Sequence, residues 1–536
     1  SRGLGSVDLP GRRLVVPAFI EELGLEPGLV AMTGPESRLT WGEVDLVLNR
    51  CANVLLEADL GPFRRTAVFA ENSCETAMAH LAGLFGGAST VPVNFHLNAS
   101  EAAYILRDSC AAVVFAGPET VGRAVEAAQL AEVPTVVAWG DYEAAGVLSW
   151  DEWLESGSDS PPPDDVRPLP NMLYTSGTTG VPKGTELPPT MFAGGSTVRE
   201  HLEALGKSRY AKLGTHLVLG PMYHTGPLSG VRSLLAGVAS VVMGRFKAEE
   251  TLRAISDHRV ESTLMVPTHF IRLLDLPSKI REQHDASSIR LVVHTGSKCP
   301  VEVKRAMIEW WGPVFVEAYG ATEVGTTCSI TSEEWLKHPG SVGRAVPPFT
   351  SLILDDQGNE APPGTEGRLF FRDSTGRGVV YANDPGRSAA AHLEPGVFTL
   401  GEVGHVDEDG YVYIDDRVSD MVVSGGVNLY PAEAEQVLVG HPDVADVACI
   451  GVPHREMGEE LKALVVLADP GKWVGEGELL DYCRLQLSHH KCPRSVTLVE
   501  DLGRTTMGKI DKRKLRSPWW DKPAKDSDRG TGRTRG

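Results

Sequence analysis

The stretch "YTSGTTGVPKGTE", Tyr174 to Glu186, places hydroxyls at Thr175, Ser176, Thr178 and Thr179 beside three glycines and one cation, Lys183. Glycines let a ligand approach the backbone, hydroxyls and amides donate hydrogen bonds, and the lysine adds charge. The chemistry these groups suit is the holding of anionic oxygens, phosphate first among them. The spacing is not that of a Walker loop, GxxxxGK[ST], because Lys183 follows Pro182 and precedes Gly184. A kinase-type glycine loop does not fit either. Read alone, the stretch has a lesser alternative, a hydroxyl-rich linker. Three shorter pieces carry further chemistry: "MYHTG" with His224, "YGATE" with Glu323, and "MGKID" with Lys509. A carboxylate such as Glu323 suits a hard cation, although by itself it reads as a solvated acid at a strand end. His224 alone reads as structural. Lys512, Arg513 and Lys514, beyond Lys509, read as a solvated basic run. His489 and His490, adjacent on a presumed helix, face different directions and read as surface residues.

These pieces need elements to position them. Residues 66–320 alternate short valine-rich bursts with helical stretches. The bursts "TAVFA", "AAVVFAG", "TVVAWG", "HLVLGP", "SVVMG", "STLMVP", "RLVVHTG" and "PVFVEAYG" suit strands buried on both faces. "KAEETLRAISDHRV" and "PVEVKRAMIEWW" between them predict helices, hence βαβ units and largely parallel sheets. After residue 340 "SLILDD", "GRLFFRD" and "GYVYIDD" alternate in polarity and predict antiparallel strands. From 421 a small α+β pattern follows, with helices at "PAEAEQVL" and "GELLDYCRLQLSHH". The expected fold class is thus α/β: a large N-terminal domain of mixed, largely parallel sheets, a small antiparallel subdomain, and a small α+β C-terminal domain. Residues 517–536 read as a disordered tail, with docking of Trp519 and Trp520 as the alternative.

The chain has 536 residues, more than one core can use. Its net charge of -20 argues against a nucleic-acid partner. It has no apolar run long enough to cross a bilayer, and "SRGLGSVDLPGRRLVVPAF" lacks a signal-peptide core. The eight cysteines are scattered with no CxxC pair, the pattern of reduced thiols in a cytoplasmic enzyme.

"YTSGTTGVPKG" resembles the signature loop of the AMP-forming adenylating superfamily: acyl- and aryl-CoA synthetases, peptide-synthetase adenylation domains and beetle luciferases. Further blocks follow in the family's order. They are "PMYHTGPL" at 221–228, "EAYGATEVG" at 317–325, "GEVGHVDEDGYVYIDDRVSDMVVSGGVNLYPAEAE" at 401–435 and "RTTMGKIDKRKL" at 504–515. The likeness spans about residues 15–516, and "SGGVNLYPAE" resembles the wording of acyl- and aryl-CoA ligases.

The resemblance implies that a carboxylic acid is activated by ATP as an acyl-adenylate and then passed to coenzyme A, with magnesium assisting. It places Thr175, Ser176, Gly177, Thr178, Thr179 and Lys183 on the triphosphate. Gly296, Ser297, Ala318, Tyr319 and Gly320 would lie at the nucleotide, Tyr319 against the adenine. Thr322 would reach the α-phosphate, and Glu323 would hold magnesium. Glu402 and Arg417 would hold the ribose. Lys509 would bridge the reacting carboxylate and the phosphate, a point-charge role that suits an ammonium. Tyr223, His224, Thr225 and Lys298 would line or gate the acid pocket, and Gly425 and Gly426 the thiol tunnel. The implied domains are an adenylate-forming unit at 1–417 and a mobile unit at 418–516, hinged near Ser419.

The sequence departs from the family pattern at four places. Glu402 stands where relatives usually have an aspartate in "TGD"; it keeps the charge on a longer arm. Ser419 replaces the usual Asp or Lys of the hinge. Lys298 replaces a residue that is usually proline or small, and is either a surface lysine or a partner for an anionic substrate group. Gly503 stands where proline is common. Other readings keep the fold and change the chemistry: a carrier-protein ligase, or a nitrite-activating enzyme that diazotises an aryl amine. A non-catalytic nucleotide-binding protein is disfavoured because Lys509 and Glu323 are both present.

Overall fold

A computed structural model describes residues 23–163, 165–175, 182–192, 194–355, 357–417, 420–424, 427–454, 457–472, 474–487, 489–505 and 510–520. Ser176, Gly177, Thr178, Thr179, Ser419, Gly425, Gly426 and Lys509 lie outside the described residues, and of Thr175 and Arg417 the backbone alone is described.

Each of the eight valine-rich bursts is a strand. Ser89–Pro92, Arg65–Phe69, Ala111–Ala116, Thr135–Ala138 and Leu148–Ser149 form an all-parallel sheet in that order. A larger sheet has a parallel centre in the order Phe315–Ala321, Leu291–His294, Val260–Met265, Thr215–Val218, Ser240–Val242 and Val30–Thr33. Antiparallel strands Gly325–Thr331 and Arg344–Ala345 extend one side, and Arg38–Thr40 the other. Helices cross between the parallel strands because their apolar residues fall on one face. Ala248–Asp257 buries Thr251, Leu252 and Ile255, and Val301–Trp311 buries Lys304, Met307 and Ile308. In such a sheet every parallel strand ends at the same edge, where ligand crevices form. That edge receives the turns after Val218, His294 and Ala321.

The alternating segments after residue 340 are antiparallel as expected. Phe349–Leu354 pairs with Gly367–Asp373, and Glu402–Val406 with Val412–Arg417. The C-terminal sheet comprises Val422–Ser424, Val427–Leu429, Val444–His454, Gly458–Leu467 and Ser495–Leu498. Helices Pro431–Leu438 and Glu476–Arg484 close one face through Ala434, Leu438, Leu479 and Cys483. The other face, with Ile450, Val452 and Leu464, meets a helix at Lys512–Trp520.

That last helix corrects the expected start of a disordered tail at 517, since Ser517–Trp520 are helical. Trp519 lies beneath the Lys462 ammonium, 4.7 Å from its ring centre, and the Trp520 indole donates to the Gly451 carbonyl at 3.0 Å. Burial of indole surface and one satisfied N–H offset the ordering of this segment. His489 is exposed, as expected, but sits on a 3-10 turn, His489–Lys491, and not on the preceding α-helix. All eight cysteines are free thiols. Among the described residues no helix is long and apolar enough to cross a membrane.

Candidate active site

The phosphate-suited stretch is flanked by two paired strands. Met172–Thr175 runs antiparallel to Lys183–Glu186, and the register sets Thr175 opposite Lys183. The hairpin is anchored at several points. The Tyr174 hydroxyl donates to Asp108 Oδ2 at 2.7 Å, the Ala382 amide donates to the Gly184 carbonyl at 3.0 Å, and the Thr185 hydroxyl donates to the Val380 carbonyl at 2.9 Å. Lys183 forms an ion pair with Asp384 Oδ2. Asp384 caps the short helix Pro385–Ala390, accepting from the Arg387 amide at 3.0 Å.

The carboxyl edge of the large sheet gathers the other blocks. Beyond Thr215–Val218 the chain passes Tyr223 and His224 into the helix Thr225–Val231. Tyr223 stacks obliquely on His224 and meets Phe95 edge-on, with ring centres 4.4 Å and 5.2 Å apart. Beyond Phe315–Ala321 come Thr322 and Glu323. The hydroxyls of Thr225 and Thr322 lie 3.3 Å apart, so the blocks assigned to acid and to nucleotide touch. Gly320 is required here: a Cβ on it would come within 1.9 Å of the Gly325 carbonyl oxygen, which belongs to the paired strand. Gly296, after Leu291–His294, has φ +98°, a conformation that favours glycine. Ser297 and Lys298 follow it. Lys298 is exposed and donates to the Ile414 carbonyl at 3.1 Å, which matches the surface reading of this lysine.

Glu323 is buried to 9% exposure. Arg377 Nη1 donates to its carbonyl oxygen at 2.9 Å. Burial, then the Glu323 charge, push the Tyr381 phenol up to about 12, and its hydroxyl is hydrogen-bonded to Glu323. The Arg387 guanidinium lies over the Tyr381 ring at 4.9 Å. A buried carboxylate held in this way suits a magnesium ion bound through oxygen. Across the antiparallel pair, Glu402 stands directly opposite Arg417, and Glu402 is buried to 6% exposure. The two residues assigned to ribose are therefore neighbours.

Several groups were not anticipated from sequence. Tyr381, Asp384 and Arg377 come from "GRGVVYANDPGRS", where only the Asp-Pro helix start is legible. A second group lies under the edge. Lys304 Nζ is 2.5 Å from Glu317 Oε2, with His294 Nε2 at 3.6 Å from the same oxygen. Lys304 is fully buried and lies 4.8 Å from the Trp335 ring centre. Burial raises the Glu317 carboxyl and Lys304 opposes that rise; burial also holds His294 neutral, well below its usual range. The signal available was Lys304 in helical register with Met307 and Ile308, and an acid inside an otherwise apolar strand.

Comparison with known proteins finds relatives along nearly the whole chain. Residues 21–379 match the family described as AMP-binding enzyme, and residues 433–509 match the AMP-binding enzyme C-terminal domain. An indoleacetate–CoA ligase of Aromatoleum aromaticum is 33% identical over 506 residues, covering 92% of this chain and 96% of that protein. The fatty acid–[acyl-carrier-protein] ligase ScoC of Streptomyces coeruleorubidus is 32% identical over 510 residues, covering 93% and 95%. Among solved structures, ATP-bound MatB from Rhodopseudomonas palustris superposes with a TM-score of 0.78 at 28% identity, covering 94% of this chain and 99% of that one.

Proposed function

The chain belongs to the AMP-binding enzyme family, and from that premise we propose that it activates a carboxylic acid with ATP and transfers the acyl group to coenzyme A. The single observation that carries the reading is the contact of Thr225 with Thr322. It supports the reading because an acid held at Tyr223–Thr225 would then lie beside an α-phosphate held at Thr322, the adjacency that direct attack of one substrate on the other requires.

In this reading an oxygen of the ionised acid attacks the α-phosphorus. The bond from that phosphorus to the bridging oxygen breaks, and pyrophosphate leaves. No general base is needed. Negative charge grows on the non-bridging oxygens, and catalysis consists of position and fixed opposing charge. Thr322 and Lys509 face the α-phosphate. Thr175, Ser176, Gly177, Thr178, Thr179 and Lys183 hold the departing pyrophosphate. Gly296, Ser297, Ala318, Tyr319 and Gly320 line the adenine end, and Glu402 with Arg417 hold the ribose. Magnesium would sit on Glu323 and neutralise phosphate charge. The thiol of coenzyme A, passing Gly425 and Gly426, then attacks the acyl carbon and AMP leaves. The unit 418–516 turns about Ser419 between the two steps.

A carrier-protein thiol is the second acceptor to consider, because the ScoC relative covers nearly the same length at almost the same identity. Both acceptors share the first step, which Lys509→Ala tests. Adenylate formation should fall by orders of magnitude. Thioester formation from supplied acyl-adenylate should fall much less, since only the first step has a phosphorus transition state. Single-turnover assays of each half-reaction give the two rates, and equal losses would contradict the role of Lys509.

A further inference from the structure

The ion pair between Lys183 and Asp384 is an unexpected feature of a triphosphate site. A carboxylate and a phosphate compete for the same ammonium. Asp384 cannot follow the lysine, because its other oxygen is committed to the Arg387 amide at the start of the helix Pro385–Ala390. The segment around it is fixed as well. The Asn383 side-chain Nδ2 donates to Asp108 Oδ1 at 3.2 Å, the Tyr381 backbone amide donates to the Ser388 hydroxyl at 2.9 Å, and the Ala382 backbone amide donates to the Gly184 carbonyl. Lys183, by contrast, has a flexible four-carbon stem and three donors. The pair is partly open to solvent, with side-chain exposures of 21% for Lys183 and 35% for Asp384.

We propose that Asp384 is the resting counter-ion of Lys183, from which the lysine is drawn by the triphosphate and to which it returns as pyrophosphate departs. This rests on the reading of Lys183 as a phosphate ligand. Asp384 is then a positioning residue that weakens the hold on both nucleotide and pyrophosphate. It replaces an empty cationic site by a neutral pair, so the product does not leave a bare charge behind. The hydrogen bond from Lys183 keeps the Asp384 carboxyl below the usual carboxylate range, so that carboxyl is ionised at neutral pH. The same rigid segment carries Tyr381 to Glu323, and so ties the counter-ion to the proposed metal ligand.

The test is calorimetric titration of the whole protein with magnesium pyrophosphate and, separately, MgATP, before and after Asp384→Asn. Asparagine keeps an oxygen for the Arg387 amide and removes the charge; Asp384→Ser, also a good helix cap, serves if the first variant melts early. Both ligands should bind about two- to five-fold more tightly, the scale of a partly exposed ion pair. The gain should vanish in a Lys183→Ala background, where a purely structural effect of Asp384 would persist. Unchanged or weaker binding in the variant, or a gain that survives Lys183→Ala, overturns the counter-ion while leaving adenylation intact. A wild-type protein that binds neither ligand overturns the adenylation reading and this inference with it.

Discussion

At the scale of residues, burial decides which charged groups bear on the edge. The Lys304–Glu317 pair joins the helix Val301–Trp311 to the strand that presents Ala318, Tyr319 and Gly320. Removing one member of a buried pair leaves the other charge in a poorly polar site, at a cost of about 3–5 kcal/mol. Lys304→Met should lower the urea midpoint accordingly. Lys304→Met with Glu317→Leu should recover much of the loss, because two apolar residues of similar volume leave no lone charge. A Lys304→Met protein as stable as wild type would show that the pair contributes nothing. Motif chemistry singles out Thr322, Glu323 and Gly320, and the structure finds Glu323 buried, Thr322 beside Thr225 and Gly320 fixed by a backbone contact; their phosphate and metal roles belong to the proposal. Lys304, Asp384 and Tyr381 were not legible. Their partners lie 13, 201 and 58 positions away in sequence, and no local pattern records such pairs.

At the scale of elements, periodicity carried most of the fold. The eight apolar bursts became strands because continuous β-branched runs pay no polar desolvation in a sheet covered on both faces. "PAEAEQVL" became the helix Pro431–Leu438 with proline at its first position. What periodicity could not supply was strand order, which places the turns after Val218, His294 and Ala321 at one edge, or the cross-strand register that sets Glu402 opposite Arg417. The final helix escaped for a different reason. "KRKLRSPWW" has a proline within it and little apolar surface, and is held by docking of Trp519 and Trp520 on the C-terminal sheet and not by propensity.

At the scale of the whole molecule, burial of histidines sets the response to acid. His80 and His269 are held down to about 3 and His201 and His216 to about 4, in each case chiefly by burial, and His294 lies well below its usual range. In the unfolded chain these rings take up protons near pH 6.5. The unfolded state therefore binds more protons below that pH. The stability is fully present above about 6.5 and is lost as pH falls, by at most about 1.4 kcal/mol per pH unit for each ring. Asp45, raised to about 6 by burial, works in the opposite sense, as do the Asp275, Glu317 and Asp415 carboxyls, which burial also raises. Melting temperatures should fall steadily from pH 7 to pH 5, and a constant melting temperature across that range would contradict the burial of these rings in the folded protein.

In the proposed function two reactions follow one another on one chain, and pyrophosphate release reports their order. Purified protein is given MgATP with a panel of carboxylic acids, aromatic and medium-chain, and with nitrite plus an aryl amine, each with and without coenzyme A. At least one carboxylic acid should give a single burst of pyrophosphate without coenzyme A, with adenylate retained, and sustained release of AMP and acyl-CoA once coenzyme A is added. Pyrophosphate released only with nitrite and amine, or sustained product formation that does not respond to coenzyme A, would contradict the proposed function.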